Sequence, residues 1–480
     1  MDPVHEAIIL GAGFGGVGMA ATLTRNGVDD FVVLEREHEI GGVWRDNIYP
    51  GAACDTQSPI YCYSFFLNTT VTRTYAGQQE LLDYLRRMVA AFDLERRIRH
   101  DTEVTSARWD ANRALWVVET SRGTFLGRTF IPAFGQLSAP QIPDFPGREQ
   151  FSGPQFHSSR WRHDVDLTGL RVASIGAAAS AVQYVPQVAP LAAKLTVFQR
   201  SANYILPRGQ HVFTPAEHAE FARDPQSFAT LRQEVHEQRE EGFTRILHDT
   251  SAKQDGVAEA AAHLHDQISD PELRAKLTPD YEFGCKRILR SDNYYPALAR
   301  ANVELETDPI DHFTESEIVT RSGTEHELDV IIYGTGFHSQ AFNGDVTISG
   351  TSGTLDERWG DAPEAFLGMT VDGFPNMFLL YGPNTNLNHH SIVMMMEAQA
   401  AYIAQAVTTI RDAPGSALEV RPERLREFSA WLQTELGHSA YTSECSSWYK
   451  NAAGKVINNW CATVEAYQTA TTRIDLADFV

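Results

Sequence analysis

Four apolar residues in succession, Ala7-Ile8-Ile9-Leu10, have the pattern of a strand covered on both faces, and the run stops at Gly11-Ala12-Gly13-Phe14-Gly15-Gly16. Val17 to Arg25 reads as a helix. Phe31-Val32-Val33-Leu34 is a second buried strand, ending in Glu35, which lies 24 residues after Gly11. A βαβ unit is therefore complete by residue 35. The order returns after Gly169: Arg171 to Ile175 as a strand, the turn Gly176-Ala177-Ala178-Ala179-Ser180-Ala181, a helix to Val185 and a strand from Leu195 to Phe198. The two turns start 165 residues apart, far beyond any solenoid period. The pattern predicts an α/β chain with two Rossmann-like dinucleotide-binding domains.

Between Phe213 and about Pro279 the pattern changes to Ala, Glu, Gln, Arg and His with few β-branched residues, which predicts a helical insertion. Strands resume with Val303-Glu304-Leu305 and Leu328 to Tyr333, the latter ending at Gly334-Thr335-Gly336-Phe337. Met377 to Tyr381 also reads as a strand. The turn Gly382-Pro383-Asn384 follows, then a helix through Glu397 to Ile410, with Met394-Met395-Met396 expected to be core. These breaks divide the chain into a first nucleotide domain over 1–148 and 341–480, a second over 149–210 and 281–340, and the insertion over 211–280.

The 480 residues carry 40 Lys+Arg against 62 Asp+Glu, a net charge of −22, and a nucleic-acid partner is not expected because counterion release needs a basic surface. At 43% hydrophobic and 21% charged the balance is that of an ordinary globular chain. The opening residues lack a basic segment ahead of an apolar core, so export is not expected. The most apolar stretch, Val172 to Ala193, is broken by Gly176, Gln183, Pro186 and Pro190 and falls short of the ~20 unbroken apolar residues of a membrane span. Five widely spaced cysteines (54, 62, 285, 445, 461) suggest neither a disulfide framework nor a metal site, and a reducing cytoplasm is the expected compartment.

A strand ending in G-x-G-x-x-G and opening a helix lets backbone approach a pyrophosphate and places that anion at the helix N-terminus. Gly11, Gly13 and Gly16 fit this. Glu35 can accept hydrogen bonds from a ribose 2′-hydroxyl but would repel a 2′-phosphate, so the first site allows FAD or NAD and not NADP. At the second turn, led by Gly176 and containing Ser180, Ala178 and Ala181 replace the later glycines. Arg200 lies 24 residues after Gly176 and is followed by Ser201. A guanidinium beside a hydroxyl suits a 2′-phosphate, so this site is expected to take NADPH. Together the two sites imply hydride transfer from nicotinamide to flavin. No two cysteines stand as Cys-x-x-Cys, which leaves oxygen, a quinone or an electron-transfer partner to receive the electrons.

Phe151-Ser152-Gly153-Pro154-Gln155-Phe156-His157-Ser158-Ser159-Arg160-Trp161 resembles the F-x-G-x3-H-x3-W fingerprint of type I Baeyer–Villiger monooxygenases, relatives of the flavin-containing and N-hydroxylating monooxygenases; Arg162 stands where the family usually has Pro or Asp. Gly41-Gly42-Val43-Trp44, Tyr49-Pro50-Gly51 through Asp55, Gly284-Cys285-Lys286-Arg287, and Asp329 to Phe337 (Gly334 in place of the usual alanine) are similar to further family segments. So are Gly382 through Ser391 and Cys445 to Tyr449. The resemblance implies that Phe151, Gly153, His157 and Trp161 organise the joint between the nucleotide domains. It also implies that Gly42, Trp44 and Asp55 lie at FAD and that Lys286 helps bind the 2′-phosphate. Arg287, positioned by Asp55, would stabilise a C4a-peroxyflavin and the oxyanion formed on a ketone. The Gly382-Pro383-Asn384 turn is expected to contact the flavin, with Asn384 as the contact. The implied reaction uses O2 and a small organic substrate, inserting one oxygen beside a ketone carbonyl to give an ester or lactone. The alternatives are a monooxygenase that acts on nitrogen or sulfur and a flavoprotein that passes electrons to another acceptor.

Overall fold

The computed structural model describes residues 3–413 and 415–480. Two sheets organise it. In the first, seven strands lie in the order Thr347–Ser349, Val104–Asp110, Leu115–Thr120, Gly123–Pro132, Val4–Leu10, Phe31–Leu34 and Ile98–Arg99. Val4–Leu10 sits between two parallel neighbours, with Ile9 opposite Val33 on one side and Ile131 on the other. Both of its faces are covered, which is why Ala7 to Leu10 reads as an unbroken apolar run. The second sheet is wholly parallel, in the order Val303–Glu306, Lys194–Phe198, Arg171–Ile175, Val330–Tyr333 and Gln155–His157. The fold is thus α/β with two Rossmann-like units. The antiparallel ladder over 104–132 was not apparent in the sequence pattern.

The helical segment holds Pro215–Arg223, Pro225–Glu241, Ser251–Gln267 and Pro271–Leu277. Each start is written in the sequence. Thr214, Asp224, Thr250 and Asp270 accept from backbone N–H groups of the first turn, and three of the four helices have Pro where no N–H is needed. Arg232 donates to the Pro59 carbonyl at 2.9 Å and Arg239 to Gln57 at 2.6 Å, so the insertion packs on the segment that carries Asp55.

The strand expected at Met377 to Tyr381 forms only a bridge between Met377 and Phe130. Phe378 and Leu380 donate to Phe130 and Pro132, whereas Leu379 donates to Met369, and left-handed backbone at Asn376 and Tyr381 interrupts the extended run at both ends. The helix that follows is Ile392–Asp412, capped by Ser391; Met394, Met395 and Met396 are all buried. A second expectation is also corrected. Cys285 and Cys445, 160 residues apart, form a disulfide with their Cα atoms 6.4 Å apart. Among the described residues no helix is long and apolar enough to cross a membrane.

Candidate active site

A cleft of about 1380 Å³ runs between the two sheets, and both glycine turns open into it. On the first side Gly11, Gly13, Gly42, Trp44 and Glu35 line the wall. Gly16 lies behind them: a Cβ there would sit 1.8 Å from the Gly11 carbonyl oxygen, so the helix approaches the strand as closely as glycine alone permits. Glu35 accepts from Ala12 N at 2.7 Å through Oε2 and from Glu37 N at 3.0 Å through Oε1, which fixes the carboxylate beside the turn. Trp44 donates to the Tyr61 hydroxyl at 3.2 Å, and both rings face the cleft.

The helix ends carry a specific signal. Phe14–Arg25 and Ala179–Val188 begin without a side-chain cap and without an acid in the first turn. Every other described helix of ten residues or more has one or the other. Uncapped N–H groups and the positive end of the helix dipole therefore point at the cleft from both sides, as anionic phosphates require.

On the second side Gly176, Ser180, Arg200, Ser201 and Lys286 line the wall. Lys286 Nζ donates to Ser201 Oγ at 2.9 Å and lies 4.4 Å from the centre of the Tyr281 ring. Burial lowers the Lys286 pKa, and the charge of Arg200 lowers it further. Arg200 is exposed and enters no ion pair among the described residues. Lys286 and Arg200 bring two positive charges to this wall, and Asp280 acts on Lys286 in the opposite sense.

Asp55 and Arg287 meet at the middle of the cleft. Arg287 donates through Nε to Oδ2 at 3.0 Å and through Nη2 to Oδ1 and Oδ2 at 2.6 and 2.7 Å. Its Nη1 makes no hydrogen bond to a described residue, and the pair lines the cleft. Burial works to raise the Asp55 pKa, but the charge and hydrogen bonds of Arg287, with Arg208 and Arg239 behind them, hold it below the usual carboxylate range. Asp55 in turn holds the guanidinium protonated. Arg208 donates to the Cys54 carbonyl at 2.8 Å and further fixes this segment.

One expected contact is placed differently. Asn384 is buried outside the cleft, its amide donating to the carbonyls of Val456 and Asn459 at 3.0 and 3.1 Å. Tyr381 and Asn386, hydrogen-bonded at 2.7 Å, face the cleft in its place. The four fingerprint residues, expected at the joint between the nucleotide domains and not at the chemistry, lie outside the lining. Gln155–His157 forms the edge of the second sheet, Trp161 packs on Phe156 and Tyr184, and His163 bonds the Ile48 carbonyl at 3.0 Å. Across the same joint Gln183 accepts from the Tyr49 hydroxyl at 2.9 Å and donates to the Ala53 carbonyl at 2.9 Å. No motif marked Gln183, Arg208 or Arg239, because each acts through a contact between distant segments.

Two dinucleotide cradles sharing one cleft define an oxidoreductase that works with a pair of nucleotide cofactors. The family model for pyridine nucleotide-disulphide oxidoreductases matches residues 8–208, which include both glycine turns. A Baeyer–Villiger monooxygenase of Streptomyces coelicolor is 40% identical over 100% of this chain and 93% of its own. Among solved structures, cyclohexanone monooxygenase from Rhodococcus sp. Phi1 bound to NADP+ superposes with a TM-score of 0.87 at 29% identity, covering 98% of this chain and 97% of its own. OTEMO in complex with FAD and NADP gives 0.88 at 26% identity, covering 98% of each chain. The chain belongs to the Baeyer–Villiger monooxygenase family.

Proposed function

We propose that this chain is an FAD- and NADPH-dependent monooxygenase that inserts one atom of O2 beside a ketone carbonyl, giving an ester or lactone. One observation carries the ketone reading: Arg287 lines the cleft, is oriented by Asp55 through Nε and Nη2, and its Nη1 makes no hydrogen bond to a described residue. The first cradle fits the adenine dinucleotide of FAD, since Glu35 sits where a ribose diol would be recognised. The second fits NADPH, since Arg200, Ser201 and Lys286 supply what a 2′-phosphate needs and a 2′-hydroxyl does not. Bound together, these cofactors supply two-electron reduction and the activation of dioxygen.

The chain's own part is electrostatic and positional. Attack on a ketone carbonyl places negative charge on its oxygen, and a fixed guanidinium donor at that oxygen lowers the barrier; removing such a donor typically slows a reaction ~10²–10³-fold. Oxygenation of an amine or sulfide develops no alkoxide and gains nothing comparable. Asp55 keeps the guanidinium from swinging toward water. Gly42, Trp44 and Tyr61 wall the flavin side, while Leu387, Ile392 and Met396 give the cleft an apolar flank for an organic substrate.

The test is NADPH consumption by the purified flavoprotein under air, with panels of ketones, amines and sulfides and with product and peroxide analysis. Ketones are expected to accelerate NADPH oxidation and to gain one oxygen. Oxygenation of amines or sulfides while ketones stay unchanged would replace this reading with heteroatom oxygenation. Rapid flavin reduction with no oxygenated product from any panel would replace it with electron transfer.

A further inference from the structure

Residues 443–448 have no regular secondary structure, yet Ser446, Ser447 and Trp448 form part of the cleft wall together with Lys286 and Arg287. What holds this segment is local. The Ser443 hydroxyl donates to Glu282, the Lys450 ammonium donates to the Ser443 carbonyl, and Gln340 donates to the carbonyls of Trp448 and Lys450 at 3.2 and 2.7 Å. Between those anchors the tie is covalent: Cys445 is bonded to Cys285, the residue immediately before Lys286 and Arg287. Cys285 is fully buried and Cys445 is partly exposed, so Cys445 is the side from which a soluble oxidant or reductant approaches. Cys54, Cys62 and Cys461 are buried as free thiols.

We propose that Cys285 and Cys445 form a reversible thiol–disulfide site that latches the 443–448 wall onto the Lys286–Arg287 segment and so sets the affinity of the cleft for the pyridine nucleotide. The nucleotide part rests on the function proposed above; the latch itself does not. With hydrogen peroxide as oxidant, the Cys445 thiolate attacks one peroxide oxygen, the O–O bond breaks, and hydroxide leaves a sulfenic acid. Cys285 sulfur then attacks that sulfur and displaces the hydroxyl. Two thiols and one peroxide become one disulfide and two waters. A dithiol such as dithiothreitol reverses the step by exchange at the accessible sulfur and becomes a cyclic disulfide. In the bonded state the wall is held in place before the nucleotide arrives. In the dithiol state its ordering must accompany binding, which weakens affinity. Linkage requires the converse, that bound nucleotide favours the disulfide by the same factor.

The experiment uses the full-length flavoprotein in two states, treated with dithiothreitol or with hydrogen peroxide and then desalted. Denatured thiol titration is expected to find five thiols in the first and three in the second, with peptide mapping joining Cys285 to Cys445. A glutamate-specific protease should cut after exposed Glu444 several-fold faster in the reduced state, and C445S should be cut fast in both. The dissociation constant of NADP+ should rise about 3–10-fold on reduction, as loss of preorganisation predicts. NADP+ should also shift the disulfide–dithiol equilibrium in a dithiothreitol redox buffer by the same factor. Equal thiol counts in the two states, a different cysteine pair, equal cleavage rates or equal NADP+ affinities would each overturn the proposal. A protein that binds no NADP+ in either state would instead remove the function proposed above, with the latch decided by thiol count and cleavage.

Discussion

Arg287 and Asp55 stand 232 residues apart in the chain and meet through three hydrogen bonds of 2.6 to 3.0 Å, while Nη1 makes no hydrogen bond to a described residue. The two carboxylate oxygens and the planar fork fix where that nitrogen points, which a single bond would not. Arg287→Lys retains the charge and loses the fork. Oxygenated product should fall by about 10–100-fold, while NADPH-driven flavin reduction in a stopped-flow trace changes by no more than a few-fold. Asp55→Asn should act in the same direction through the orientation of Arg287. Equal loss in both half-reactions would place the pair in cofactor binding and not in the oxygen-transfer step.

The 2′-phosphate site proposed at Arg200, Ser201 and Lys286 predicts a preference between the two nicotinamide cofactors. Lys286 donates to the Ser201 hydroxyl, and among the described residues no acid pairs with Arg200. Arg200→Ala is expected to lower kcat/KM for NADPH by about 10–100-fold, the worth of one or two charge-assisted bonds, while NADH is nearly unaffected. The measurement is the ratio of the two specificity constants. A ratio that stays put would show that Arg200 is a surface charge.

The part of this architecture legible in the sequence is the part written locally. A buried run, a glycine turn and a helix occupy consecutive residues, so both strand–turn–helix units were legible, and Glu35 and Arg200 after them line the cleft. The caps of the four helices over 215–277 are equally local. What escaped depends on how distant segments meet. The ladder over 104–132 is defined by pairing, and Val104–Asp110 is too unevenly buried to show a period of two. Asn384 sits in a turn of the expected kind, but residues 456–459 occupy its amide, and nothing near position 384 announces that. Cys285 and Cys445 likewise carry no local sign of one another. Asp55 and Arg287 were joined in advance only through a family resemblance.

Gly334 has a structural reason. A Cβ at this position would lie 2.6 Å from the Tyr184 hydroxyl, which is buried and bonded to Ser174 at 2.7 Å. Gly334→Ala should destabilise the protein by about 1–3 kcal/mol through overpacking. Tyr184→Phe alone should cost about 1 kcal/mol for the lost hydrogen bond. Removing the hydroxyl makes room for the methyl, so the double variant should be more stable than the sum of the two changes by at least about 1 kcal/mol. Urea unfolding of the four proteins checks this, and strict additivity would mean that the helix moves away from the strand.

Three buried histidines set the response to acid. Burial pushes His157 down to about 4 and His389 to about 3, and burial together with His389 and His236 pushes His390 to about 2. His390 accepts from Ser391 N at 2.7 Å through Nδ1, so in its neutral form Nε2 carries the proton and donates to His236 at 2.9 Å. The unfolded chain takes up these protons near the ordinary value of about 6.5, before the folded one does. Stability is therefore complete above about pH 6.5 and falls as pH drops from there toward the folded values. For His157 alone the interval down to about 4 is worth about 3 kcal/mol. The midpoint of urea unfolding should fall steadily between pH 7 and pH 4. His157→Asn should lower it at pH 7 and flatten its dependence on pH, because the asparagine has no proton to take up. Parallel curves for the two proteins would show that His157 takes up its proton in the fold at the same pH as in the unfolded chain.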